Sequence, residues 1–482
     1  MVPHSKELRA AVTALALLAL LGVALIFVFP GCPEQDTEYH FLEARTAWSN
    51  PRLFVDVWGR PLYVAFYALP ALLGFTAARF CAVAIGVVTA WQTWRLACDL
   101  GLQRAWLVIP LLLAQPVFFE LFPDLLTEPV FALVFVVAVR WHLRGRTKAG
   151  MLAASLLPLA RPEGVFLCLL WGGWVLAKNI SPATSTPVEI FQRFIRVVPS
   201  TLLLATGVFL WWMAATFITG DPLFILHNWP ETWHQDMYGR GNLFSYGQRA
   251  SEVIGLLLVV PFLLGLWGTI RVGTWIPVTT SILLLFVLHT LFRAYGLFGE
   301  AGYPRYMVSV SPAIAVLTLQ GWNTIASQIA HWPRIASAGL GIMVLSASLV
   351  SSFCYLDSFT AARDPIAIGE MSDWLRAHPV PFRRLIWSNA RMCIVSGLTL
   401  VQSPSLRSIN RESTLAVLRE APSGTLVFWD DHFGPDWFGL AASEIEKNGY
   451  QRLRARHYSL PGVLAWDAGG NREIEASLLL KP

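Results

Sequence analysis

Charge is what this 482-residue chain has least of. Asp, Glu, Lys and Arg make up 14% of it, against about 25% in an ordinary soluble domain. Hydrophobic residues reach 55%, and the mean hydropathy is +0.53. That balance excludes a typical soluble enzyme and implies a multi-span membrane protein. Cysteine suggests no chemistry either: Cys32, Cys81, Cys98, Cys168, Cys354 and Cys393 are scattered, with no Cys-x-x-Cys pair and no metal-ligand spacing. No internal repeat is recognisable of the kind on which many transporters are built. The formal net charge of +5 is no sign of a nucleic-acid partner, because Lys and Arg collect in the cytoplasmic loops of membrane proteins.

What the chain does have is long apolar runs. The first, from Leu8 to Pro30, contains about twenty apolar residues, enough to cross a ~30 Å hydrocarbon core and longer than a signal-peptide core, so it is expected to stay attached. Further runs, from Thr76–Cys98 through Ile335–Tyr355, bring the expected total to about eleven. After Tyr355 the apolar runs stop. Strand-like Arg384–Trp387 and Thr425–Trp429 alternate there with helix-like Ile366–Ala377 and Phe438–Asn448, the pattern of a small α/β domain. The expected fold is therefore an α-helical polytopic membrane protein with a small C-terminal extracytoplasmic α/β domain. Residues 1–356 form the membrane domain, with a first outer loop at 31–61, and residues 357–482 form the soluble domain.

Orientation follows from the positive-inside rule. Lys6 and Arg9, Arg95 and Arg104, the cluster Arg140 to Lys148, Lys178 with Arg193 and Arg196, Arg271, and Arg334 fall at alternate turns, which are read as cytoplasmic. The other turns hold the acidic loop 31–61, PDLLTEP (123–129), ARPEG (160–164), the long 220–251 segment and 292–306. The suggestive residues are thus expected in one layer on the outer side of a membrane, the bacterial inner membrane by this reading, with the N-terminus inside.

Within that layer, Asp36, Glu38, His40 and Glu43 lie on an expected short amphipathic helix opened by Pro33, and Asp36, His40 and Glu43 share a face. Acidic residues at a helix start also complement its positive end without any catalytic role. Arg161 sits between two apolar runs, where a charge needs a partner or an anionic ligand; Glu163 can be that partner. Arg293 and Arg305 flank FRAYGLFGEAGYPRY and are donors suited to bidentate phosphate binding, though either can equally snorkel to headgroups. His227 and His234 stand seven residues apart in a Trp-rich segment and read as packing or acceptor contacts rather than metal ligands. Asp430-Asp431-His432 reads as a solvated loop at a strand end.

Taken in order, the acidic first loop with its Asp, Trp58-x-Arg60-Pro61, Thr127-Glu128-Pro129, Ala160-Arg161-Pro162-Glu163-Gly164 and Pro304-Arg305-Tyr306 resemble membrane-embedded glycosyltransferases of the GT-C class. The nearest likeness is to bacterial relatives of protein O-mannosyltransferase and aminoarabinose transferase. It covers roughly Met1 to Tyr355. The resemblance implies a polyprenyl-phosphate-linked sugar donor, a lipid, glycan or protein acceptor, and Asp36 as the catalytic base. It implies inversion at C1 through an oxocarbenium-like transition state, with Arg161 and Arg305 stabilising the leaving phosphate and Arg293 a further phosphate donor. The Asp-Thr-Glu sequence is neither an Asp-Glu pair nor a full Asp-x-Asp, which leaves Glu38 open between catalysis, a metal site and a solvated face. His40, Arg60, Glu128, Glu163 and Tyr306 are candidate substrate-positioning residues. No metal or other cofactor is expected to be required. The alternatives are a carrier or flippase for lipid-linked saccharides, which should bury its substrate groups near the bilayer midplane, and a non-catalytic membrane assembly protein.

Overall fold

The computed structural model describes residues 5–29, 35–179, 187–230, 233, 238–273, 275–360, 363–398, 400, 411–459 and 473–482. Cys32, Pro33 and His234 lie outside the described residues. Of the helices that matter for function, α1 spans Ser5–Val28, α2 Gln35–Thr46, α3 Thr127–Leu143, α4 Gly164–Asn179, α5 Ile276–Tyr295 and α6 Ala390–Val395. The chain divides into two compact units. One comprises Met1–Val28, Phe54–Phe66 and Arg79–Leu356; the other Phe29–Leu53, Tyr67–Ala78 and Asp357–Pro482.

The first unit is a helical bundle. Among the described residues, 5 helices are long and apolar enough to cross a membrane: Ser5–Val28, Phe75–Asp99, Phe191–Thr219, Ile276–Tyr295 and Arg334–Tyr355. Shorter apolar helices cover Pro61–Leu72, Thr147–Ala160, Gly164–Lys178 and Leu256–Val272. Leu20, Phe27, Phe217 and Ile342 on these helices are more than half exposed, an outward apolar surface that lipid solvates and water does not. The protein is an integral membrane protein.

The apolar runs are not all single helices, and the breaks have local causes. The run 105–120 divides into Val108–Leu113 and Pro116–Leu121, where Pro116 lacks an N–H and pushes Gln115 into an extended conformation. The run 149–160 divides at Ser155 and Leu156, just ahead of Pro158 in the first turn of the second piece, and Arg161 behind that piece is extended. Gly255, at φ 95°, separates Ala250–Ile254 from the helix beginning at Val259; a Cβ there would sit 2.5 Å from the Ala114 carbonyl oxygen. Two other glycines allow a close approach of facing helices in the bundle. A Cβ on Gly265 would lie 1.9 Å from Leu317 O, and one on Gly321 1.8 Å from Pro261 O. The helices Val259–Val272 and Ser311–Gln328 therefore meet backbone to backbone, as small residues allow between membrane helices.

The second unit contains a four-stranded sheet. β1 (Arg384–Trp387), β2 (Thr425–Asp430), β3 (Gln451–Ser459) and β4 (Glu473–Leu480) are arranged in the order β1-β2-β4-β3. β1 and β2 are parallel, and both other pairings are antiparallel. All six β2 residues are buried, so this central strand reads as a continuous apolar run ending in Asp430. Ile386, Val427, Phe438, Ile445 and Leu479 build the core on one face. The helix expected at 438–448 is shorter, Ala442–Lys447, because Gly439 takes a left-handed φ of 62°. Also in this unit, α2 forms as the sequence suggests, with Asp36 and Glu38 in its first turn.

Candidate functional site

Sequence-distant polar residues of the bundle converge on Arg161. Its Nη1 lies 2.6 Å from Glu128 Oε1 and donates to Thr127 Oγ1 at 3.1 Å. Its Nε donates to Glu163 Oε1. Thr127 in turn donates to Glu128 Oε2 at 3.2 Å. The local chain makes this possible: Thr127 and Glu128 open α3, while Arg161 and Glu163 stand in the short break before α4. The Arg161 guanidinium also lies over the Tyr306 ring, 4.8 Å from its centroid. Arg305 Nε is 3.8 Å from Glu128 Oε1, and its guanidinium covers the Tyr303 ring at 4.8 Å. Arg161, Glu128, Glu163 and Arg305 are all buried. Arg161 thus has the carboxylate partners that a membrane-edge charge demands, with Glu128 joining the expected Glu163.

A second layer backs this cluster. His289 on α5 stacks on Tyr306, with ring centroids 5.2 Å apart at 27°. Its Nδ1 is 3.0 Å from Glu300 Oε2 and its Nε2 3.9 Å from Glu163 Oε1. Glu300 accepts from the Tyr246 hydroxyl and from Gly302 N at 3.2 Å. Burial, reinforced by Glu300, pushes the Tyr246 phenol well above its usual range, so it stays a hydrogen-bond donor. Tyr246, His289 and Glu300 were not singled out from the sequence. A His facing inward from an apolar helix is one signal that could have been used. Arg293 is placed differently from the other arginines: its Nη1 faces the carbonyl oxygens of Tyr238, Gly239 and Glu300 at 2.8, 3.1 and 3.2 Å. It braces the loops on either side.

Arg60 also keeps a buried donor unmatched. It takes a left-handed φ of 60° immediately before Pro61, a conformation strained for any side-chain-bearing residue. Its Nη1 donates to Val57 O at 2.6 Å, and its guanidinium covers the Trp233 ring at 4.5 Å. Its buried Nε has no acceptor. Burial, and then the nearby Arg161 charge, push the guanidinium down to about 10, with Glu163, Glu128 and Asp56 opposing.

Of the other residues expected from sequence, Asp36, Glu38 and His40 belong to the second unit. Asp36 is half-buried, while Glu38 and His40 are buried. His40 Nδ1 lies 3.7 Å from Glu43 Oε2. Glu38 accepts from Arg391 Nη1 at 2.8 Å. His227 pairs with Asp221 at 2.8 Å on the surface. Asp430 is buried and caps its own loop, accepting from His432 N and Phe433 N.

Glu163 should stabilise the fold as a carboxylate. Burial by itself would raise its pKa, but Arg161 and then His289 outweigh burial and hold it below the ordinary range. A depressed carboxyl contributes stability above its unfolded value of about 4.3 and loses it as pH falls through the folded value. Glu163→Gln is therefore expected to melt below the parent at neutral pH, with the gap narrowing as pH falls through about 4. Thermal unfolding in detergent across pH checks this. A gap independent of pH would mean that the ionised form is not what stabilises.

No protein-family model matches the chain, and no curated protein matches it in sequence. Solved structures do. ArnT from Cupriavidus metallidurans bound to undecaprenyl phosphate superposes with a TM-score of 0.64 at 12% identity, over 97% of this chain and 97% of that one. The apo state of ArnT from the same organism gives 0.61 at 13% identity, over 97% and 98%. The chain therefore shares the fold of these ArnT structures over nearly its whole length.

Proposed function

We propose that this protein is an inverting glycosyltransferase that moves a sugar, a hexose or pentose, from a polyprenyl-phosphate donor to an acceptor hydroxyl on the extracytoplasmic side of the membrane. The observation that carries the reading is Arg60. A guanidinium with a buried Nε lacking an acceptor, destabilised further by Arg161, is a standing demand for an oxyanion. The full-length likeness to ArnT, whose structure holds undecaprenyl phosphate, supports a polyprenyl phosphate as that anion. Polar recognition by arginines and an apolar lipid tail suit a bundle whose outer surface is already lipid-facing.

In this reading Arg60, Arg161 and Arg305 stabilise the phosphate as it leaves. Glu128, Glu163 and Tyr306 fix the plane of Arg161, and Arg293 holds the adjoining loops. Asp36 is the general base, a role that comes from the family resemblance. The acceptor oxygen attacks C1 as the C1–O bond to phosphate breaks; Asp36 takes the hydroxyl proton and the lipid phosphate departs with the electron pair. Attack opposite the leaving group inverts the anomeric centre. The N-terminus is cytoplasmic and the C-terminal domain extracytoplasmic.

The test is single-turnover transfer by the purified protein in detergent, with a panel of radiolabelled polyprenyl-phosphate sugars and nucleotide sugars. Transfer from a lipid-linked sugar alone is expected. Absence of transfer together with translocation of a lipid-linked saccharide in vesicles would move the carrier reading ahead. Arg60→Gln provides an independent check. A guanidinium pKa lowered by folding means that the folded state disfavours the charge, so removing it is expected to raise the melting temperature of the ligand-free protein while weakening retention of polyprenyl phosphate. That opposition between stability and binding is characteristic of functional sites. A variant that loses stability and retains the lipid would remove Arg60 from the donor site.

A further inference from the structure

The second unit shows how the first-loop helix is held. Glu38, on α2 two residues after Asp36, is 4% exposed, and its Oε1 accepts from Arg391 Nη1 at 2.8 Å. Arg391 is itself positioned by the sheet. β1 ends at Trp387, and Asn389 caps α6 by accepting from Arg391 N at 3.1 Å. Just before the cap, Ser388 N donates to Phe428 O at 3.1 Å and Ser388 Oγ donates to Asp430 Oδ2 at 2.6 Å, tying this turn to the buried central strand. Two more contacts follow along α2. The Tyr39 ring meets Trp387 at 6.2 Å, and Leu400 N donates to Thr46 Oγ1 at 3.3 Å. The acidic helix is thus fastened to the α/β domain at its first turn and at its last residue, with one charged pair near Asp36.

We propose that Arg391 is a positioning residue: through its ion pair with Glu38, the C-terminal domain fixes the helix that carries Asp36. Glu38 is then an anchor rather than a second base or a metal ligand. The inference rests on the reading of Asp36 as the base, and it gives the C-terminal domain a part in turnover. A buried pair of this kind contributes geometry more than net stability. Its loss takes a guanidinium away from a buried carboxylate, so α2 should loosen while the rest of the chain stays folded.

Hydrogen exchange by mass spectrometry on the full chain in detergent separates the anchor from the proposed activity. In Arg391→Ala, exchange of the 35–46 amides is expected to rise by at least about tenfold, with peptides from α3 unchanged. In the transfer assay, kcat should fall by at least about tenfold with donor KM within about twofold, since the donor site keeps its arginines. The charge swap, Glu38→Arg with Arg391→Glu, should recover much of both. Should Arg391→Ala fail to fold, Arg391→Lys and the swap carry the test, with Arg391→Glu alone as the unpaired control. Unchanged α2 exchange, or a full kcat without the pair, would overturn the proposal. If the parent transfers no lipid-linked sugar, the functional reading fails while the exchange arm still decides the anchor.

Discussion

Asp36→Asn is expected to lower single-turnover sugar transfer by about 10²- to 10⁴-fold, the usual contribution of a positioned base. Donor retention should stay close to the parent. The substitution keeps the side-chain size and a hydrogen-bonding capacity, and removes only the basic carboxylate. Helix α2 should survive it, because the fastening residues Glu38, Tyr39 and Thr46 are untouched, and a lost acidic residue at a helix start costs only about 0.3–1 kcal/mol. Glu38→Gln is the informative comparison. It weakens the pair with Arg391 but leaves the base, so its loss of turnover should be smaller. Near-parent transfer by Asp36→Asn, with a monodisperse elution profile, would withdraw the base assignment.

Arg161→Ala should have the second large effect, and on two measurements at once. Removing one partner of a buried ion pair typically costs about 3–5 kcal/mol, and here Glu128 and Glu163 both lose the guanidinium that compensates them. A marked fall in melting temperature is therefore expected, together with weaker donor binding. Those effects can be separated. Replacing the triad by Arg161→Met, Glu128→Leu and Glu163→Leu removes the charges together, and buried ion pairs exchanged for apolar groups of similar volume are often neutral for stability. The triple variant should melt much closer to the parent than Arg161→Ala does, yet retain polyprenyl phosphate no better. If it holds the lipid as the parent does, Arg161 is a structural residue only.

The local signals in the sequence were informative for different reasons. Apolar runs announce membrane helices because lipid offers the backbone no hydrogen bonds, and α1 and α5 formed where the runs are long and uninterrupted. Where proline or glycine punctuates a run, as at Pro116, Pro158 and Gly255, the run became two short helices, so one apolar run is not always one helix. Strands β1 and β2 were legible from their β-branched and aromatic residues. Strands β3 and β4 carry charged residues on an edge and its neighbour, and were missed.

The short motifs around Glu128, Arg161 and Arg305 could be ordered along the chain, but the sequence left Arg161 open between a carboxylate partner and an anionic ligand. Tertiary structure decided that Arg161 is already paired twice, because the first turn of α3 and the break before α4 bring Glu128 and Glu163 to it from opposite directions in sequence. The same holds for Arg60. Its residue type is visible in a Trp-x-Arg-Pro stretch, whereas its left-handed backbone and its buried, unmatched Nε exist only once the chain around it has folded. Composition and hydropathy determined by themselves that this is a membrane protein with a polar tail domain, since the solvent preference of a segment is a sum over its own residues. Pairing is a property of distance between segments, so Glu128 as a partner of Arg161, and the partners of Glu38 and His289, were decided by tertiary structure alone.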